Sequence, residues 1–236
     1  MIKEKIQKIK KFFRENTISA LTAVFLGIAT LLVAWAGWIG ALHDGNQAGN
    51  YTRSNNLAAE GSAEYNVATQ IYISDLFTWN TITDLRLSVE TAKANGNQKE
   101  AKEIEAKIEK IKQNNCSQKL LEAMDEAGAE EKNANPFKDE AFISSYFEGA
   151  KKLMDESQEA LANGEIDNKR SDSYQLASVL YSLVLFLLGI IGVLQDRQTR
   201  KALLIFSVFI LALAFVYMLT IPMPTGFDIT SFFNNK

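Results

Sequence analysis

His43 and Asp44 lie in the stretch WAGWIGALHDGNQAGNYT (35–52), just past a long uncharged run, and His43 is the only histidine in the chain. An imidazole beside a carboxylate can serve acid–base or metal chemistry. A metal centre, however, needs several ligands, and covalent catalysis needs a nucleophile with an orienting partner. No spacing of carboxylates completes a metal set around His43. The sequence also has no G-x-S-x-G element, P-loop, dinucleotide fingerprint, calcium loop or paired-cysteine motif. The residues point instead to a water boundary. Trp35 and Trp38 supply amphipathic rings suited to the headgroup zone, and His43 follows them with an accessible ring. No catalytic, cofactor-binding or metal-ligating residue is assigned, no cofactor is expected, and the chain is not expected to be an enzyme.

Polar side chains are dense just after this point: Asp44, Asn46, Gln47, Asn50, Asn55, Asn56, Glu60 and Glu64. Arranged around the axis of an oligomer, His43, Asp44, Asn46, Gln47, Asn50, Glu60 and Glu64 would form an acidic vestibule attracting cations. In a monomer the same residues form a solvated juxtamembrane segment.

The elements that position these residues are membrane spans. Residues 18–42 carry no charge, and neither do 176–194 or 202–221. At about 1.5 Å per helical residue, each can cross a hydrocarbon core of roughly 30 Å. Hydrocarbon offers backbone polar groups no partner, so each must be helical. The first apolar run is too long for a signal-peptide core and reads as a retained anchor. The absence of ionisable residues within the spans argues against proton-coupled transport or voltage sensing. The fold class is therefore an all-α integral membrane protein: three transmembrane helices and an acidic helical extracytoplasmic domain.

Charge sets the orientation. Lys3, Lys5, Lys8, Lys10, Lys11 and Arg14 precede the first span, and Arg197, Arg200 and Lys201 lie between the last two. The positive-inside rule keeps both segments cytoplasmic. The organisation is then a basic amphipathic leader (1–17), a first span (18–42), an extracytoplasmic domain (43–175), a second span (176–194), a cytoplasmic connection (195–201), a third span (202–221) and a short outer tail (222–236). Lys169 and Arg170, beside the second span on the outer side, are the local exception. Residues 43–172 carry 24 acidic and 15 basic side chains, which argues against nucleic-acid binding. Cys116 is the only cysteine, so no internal disulfide can form.

Within 43–175, HDGNQAGNYTRSNN is rich in glycine and asparagine and leaves two readings, a loop or an outward continuation of the first span as one long rod, whose helix its glycines weaken. Residues 56–94 read as helix, with Leu57, Tyr65, Ile71, Leu76, Trp79 and Leu87 available for packing. NGNQ (95–98) is a turn. Ala101, Ile104, Ile108 and Ile111 then form one stripe of a second helix, with Glu105, Glu109 and lysines on its flanks. Asn114-Asn115 interrupts it, another short helix follows, and ANPF (134–137) breaks the chain. Residues 139–162 resume helix with Phe142, Tyr146, Leu153 and Leu161, closing at Asn163-Gly164. NYT and NCS place glycosylation sequons at Asn50 and Asn115.

Small residues at four-residue spacing, Ala36 with Gly40 and Gly37 with Ala41, allow close helix packing, as do Gly189 and Gly192 in the second span. The layout, with AWAGWIGALHDGNQAGNY and SDSYQLASVLYSLVLFLLGIIGVLQDRQTRKALLI, resembles small, uncharacterised bacterial membrane proteins. In that group one span is followed by a soluble helical segment and a closely spaced pair of spans. The resemblance implies this architecture and brings no catalytic residue with it. The expected protein is a noncatalytic homo-oligomer of the bacterial cytoplasmic membrane, with an assembly, scaffolding or sensing role at the cell envelope. Its partners would be the lipid bilayer and an envelope protein or a cation. The rival readings are an oligomeric ion-conducting or osmotically responsive channel and, third, an enzyme acting on lipid or envelope material.

Overall fold

The computed structural model describes residues 17–127 and 135–224. The basic leader and nearly all of the tail thus lie outside the described residues. The described chain is helical: α1 (Thr17–Ala94), α2 (Gln98–Asn115), α3 (Gln118–Ala127), a 3-10 turn (Pro136–Lys138), α4 (Glu140–Ser145), α5 (Glu148–Val193) and α6 (Arg197–Leu219). Three of these helices, α1, α5 and α6, are long and apolar enough to cross a membrane. The chain divides into two compact units, at Thr52/Arg53 and at Glu159/Ala160. Residues 43–52 and 160–175 therefore group with the spans.

The span unit packs the first part of α1, the second part of α5 and all of α6 around Ala36, Ile39, Ala177, Tyr181, Val184, Leu188, Leu211 and Ala214. Small residues bring the backbones together: a Cβ on Gly40 would touch Tyr174 Cβ at 3.4 Å, and Ala36 is fully buried. Large apolar side chains point the other way. Leu31, Phe186 and Ile205 are 72%, 65% and 71% exposed, the inverse of a water-soluble fold and the pattern lipid requires. Asp196 caps α6 by accepting from Thr199 N at 2.7 Å and Thr199 Oγ1 at 2.6 Å, and these bonds lower its carboxyl pKa. Arg200 Nη2 donates to Ser19 Oγ at 2.8 Å, joining the starts of α6 and α1.

The second unit is built on a helical hairpin. Gly96, at φ +77°, ends α1 in a Schellman motif: Asn97 N donates to Ala92 O at 2.9 Å and Gly96 N to Lys93 O at 3.0 Å. Asn97 then caps α2 through Glu100 N at 3.3 Å. Trp79, Ile82 and Val89 of α1 bury against Ala101 and Ile108 of α2 and Leu120 and Met124 of α3. The Ala101–Ile111 stripe thus packs as its spacing predicts. Glu105 pairs across the hairpin with Lys93 at 2.7 Å, and Glu109 pairs with Lys112 at 3.0 Å, three positions on in its own helix.

Two segments differ from what their local residue types favour. Of the loop and the continuous rod that 43–56 allows, the structure has the rod, where Gln47 and Asn50 find partners on α5 in place of the turn bonds they favour locally. Asn163-Gly164 does not close a helix, since α5 runs through it. Gly164 is a close-approach residue, whose Cβ would fall 2.5 Å from the Tyr51 ring. Tyr65, Ile71, Leu87 and Leu161 are exposed in the chain, Tyr65 with its ring 5.1 Å from that of Phe147.

Gly45 and Gly49 face open space within α1. G45A and G49A should each stabilise the protein by about 1 kcal/mol through helix propensity, whereas G164A should destabilise it. Thermal unfolding in detergent checks this, and the opposite ordering would contradict the assigned contacts.

Candidate functional site

On a helix, His43, Gln47 and Asn50 fall at i, i+4 and i+7 and so share a face. In the span unit this face lies against α5. His43 is fully buried, in place of the accessible ring expected from sequence, because Asp167 comes up beside it. Its Nδ1 lies 2.8 Å from Asp167 Oδ1 and its Nε2 lies 3.2 Å from Pro222 O. The ring stacks on Tyr174 at 5.8 Å between centroids, and the Tyr174 hydroxyl donates to Ile221 O at 3.3 Å. Asn50 Nδ2 donates to the other Asp167 oxygen at 3.3 Å, and Gln47 Nε2 donates to Asn168 Oδ1 at 2.8 Å. Residues from α1, α5 and the segment after α6 thus converge on one imidazole.

The partners fix the proton inventory. A peptide carbonyl only accepts, so Nε2 must carry hydrogen for the Pro222 contact to be a bond. Nδ1 then either donates to an ionised Asp167 or accepts from a protonated one. Both descriptions leave the pair with zero net charge, which is what permits its burial beside the spans. Both ring nitrogens are engaged and the ring has no exposed surface. The arrangement works as a bolt between three chain segments, with no open position for a substrate.

The second unit has its own buried carboxylate. Asp75 is 1% exposed and accepts from Ser117 N at 2.9 Å, from Tyr146 OH at 2.8 Å and from the Ser117 hydroxyl. Ser117 Oγ in turn accepts from Leu120 N at 3.2 Å, so the same serine caps α3. Asp75 thereby fixes the α2–α3 junction and the end of α4 onto α1. Burial, and then the Asp75 charge, push the neighbouring Cys116 thiol up to about 11.

The structure thus brings His43, Gln47 and Asn50 together and leaves Asp44, Glu60 and Glu64 exposed elsewhere, with Asn46 half-buried. Ala36 and Gly40 face α5; Ala41 is exposed, and Gly37, Gly189 and Gly192 have open space around them. Trp35 and Trp38 form an edge-to-face pair at 5.4 Å. Asp167, Tyr174 and Pro222 were not singled out from the sequence, nor were Asp75 and Ser117. A signal existed: Gly164, Asp167, Ser171 and Tyr174 repeat the same 3,4 spacing on α5. Among the described residues, no group of three or more His, Cys, Asp or Glu side chains is arranged to hold a metal ion. Comparison with protein-family models, with curated proteins and with solved structures finds no match to this chain. Fold and site together define the class: an all-helical membrane protein with three spanning helices, bolted by a buried polar cluster at the end of its span unit.

H43A or D167A leaves its partner buried and unpaired and should destabilise the protein by about 3–5 kcal/mol. The H43L/D167L double variant should recover part of that loss. Thermal unfolding of the four forms as a double-mutant cycle checks this, and additive single losses would contradict coupling.

The folded protein holds the Cys116 proton up to about pH 11, whereas the unfolded thiol loses it near 9.0. The stability this group contributes is present below pH 9 and is lost as pH rises from 9 toward 11. Iodoacetamide should therefore alkylate native Cys116 several-fold more slowly at pH 9 than it alkylates the denatured chain, and D75N should narrow the gap. Equal native and denatured rates would contradict the assignment.

Proposed function

We propose that the chain is a noncatalytic, oligomeric protein of the bacterial cytoplasmic membrane, with its N-terminus inside and its helical segment 43–175 outside. That segment serves assembly, scaffolding or sensing at the envelope. The observation that carries this reading is the fate of the buried polar groups. His43, Asp167, Asp75 and Ser117 are all engaged with one another or with neighbouring helices in interactions that fix helices in register. Polar chemistry in this chain specifies structure. Supporting evidence comes from the second unit, where Val67, Ile71 and Phe77 are 51%, 40% and 67% exposed on a helix rich in polar residues. Apolar surface of this kind suits a protein partner, whether a second copy or another envelope protein. The basic residues on 3–14 and 197–201 support the orientation.

A channel would need polar side chains lining an axis. Of the seven candidates for that role, His43, Gln47 and Asn50 are engaged inside the chain, whereas Asp44, Glu60 and Glu64 are exposed, so an acidic vestibule would rest on those three carboxylates.

Native mass spectrometry of the detergent-solubilised full chain tests the reading. More than one copy, or a co-purifying envelope protein, is expected, and V67E/I71E should reduce that association at least tenfold while leaving the spans folded. A wild-type monomer with no partner, or an association unaffected by the substitution, would contradict it.

A further inference from the structure

Lys169 and Arg170 were the exception to the charge pattern, and in the structure they line a cavity of about 280 Å³ in the span unit. Its walls come from α5, through Lys169, Arg170 and Ser173, and from the end of α6, through Tyr217, Thr220 and Pro222. Two of the hydroxyl protons are already committed: Ser173 donates to Lys169 O at 2.9 Å and Thr220 to Tyr217 O at 2.7 Å. The two cationic groups are not. Among the described residues neither forms an ion pair, and the nearest buried carboxylate, Asp167, is occupied by His43 and Asn50. Glu165 and Asp172 flank the pair along α5 but do not line the cavity, whose charged wall residues are Lys169 and Arg170, and the C-terminal end of α6 contributes only about half a negative charge.

The position of the cavity selects the source of a complementary anion. Arg170 precedes the first residue of the apolar run, Leu176, by six helical residues, about 9 Å, just outside a headgroup layer of roughly 5–7 Å and within reach of it for a long basic side chain. One turn further into the span, Leu176 on α5 and Leu213 on α6 are 49% and 55% exposed. A molecule with its anion among Lys169 and Arg170 would lay its apolar part along these side chains. The volume admits a phosphate with its glycerol and little more.

We propose that this cavity binds the headgroup of an anionic phospholipid. Lys169 and Arg170 hold the phosphodiester, and the acyl chains lie against Leu176 and Leu213. The inference goes beyond the assembly and scaffolding reading and does not depend on it, because it concerns a lipid and not a protein partner. It also gives the two basic residues a role compatible with the orientation they otherwise oppose. Lipid in this cavity would brace Pro222, the residue that receives the His43 bond.

The test is native mass spectrometry of the full-length protein in detergent, titrated with dioleoylphosphatidylglycerol and dioleoylphosphatidylcholine. Wild-type protein should retain the anionic lipid at least fivefold over the zwitterionic one. K169Q/R170Q should abolish the preference, K169R/R170K should keep it, and R197Q/K201Q, at the other end of the spans, should leave it intact. Glycerol 1-phosphate at millimolar concentration should fail to displace the lipid. No preference in the wild type, an unchanged preference in K169Q/R170Q, or its loss in K169R/R170K would overturn the proposal. Full displacement by glycerol phosphate would overturn it in favour of a free anion.

Discussion

The span unit depends on one constraint: an imidazole removed from water must have both nitrogens satisfied and its charge compensated. Asp167 and the Pro222 carbonyl meet that requirement from opposite sides of the ring. Because they belong to different segments, the requirement becomes a geometric tie. α1 cannot slide against α5 without separating His43 from Asp167, and the chain leaving α6 cannot shift without uncovering Nε2. Apolar packing between spans specifies registry less sharply, through the close approach at Ala36 and Gly40, since lipid tails offer large apolar side chains similar contacts. The pair therefore contributes less through its net energy than through the single alignment it permits.

The same logic recurs in the second unit with different chemistry. Among the described residues Asp75 has no cationic partner, and its charge is distributed over a backbone N–H and two hydroxyls. Donors of this kind stabilise a buried carboxylate through short, directed bonds, which is how one side chain can organise α1, the α2–α3 junction and the end of α4. Aromatic rings surround this node: Tyr72, Phe142 and Tyr146 meet edge to face. They cover the buried Tyr146–Asp75 bond and add contact area that the short helices α3 and α4 lack on their own.

Much of the fold was legible in the sequence because hydrocarbon and water impose strong patterns. Uncharged runs marked all three spans, and the Ala101–Ile111 stripe and NGNQ turn marked the hairpin. The candidate site was less legible because its helix-facing positions are polar or glycine. His43, Gln47 and Asn50 on α1 match Gly164, Asp167 and Ser171 on α5 in spacing, yet a search for apolar periodicity passes over both and reads them as loop and cap. Local propensity misled for the same reason. Asparagine and glycine favour turns when nothing competes, but here Asn50 bonds to Asp167 and Gly164 yields space to Tyr51. What decides is a partner more than a hundred residues away, which no local window contains.

Because His43 is the only histidine, one measurement addresses the central claim without assignment ambiguity. Nitrogen-15 NMR of histidine-labelled protein in lipid, at neutral pH, reports the protonation of each ring nitrogen. The account predicts a protonated Nε2 that exchanges slowly with solvent and an Nδ1 that shares a proton with Asp167. An unprotonated Nε2, or a ring exchanging freely with water, would contradict the bolt on which the arrangement of the spans depends.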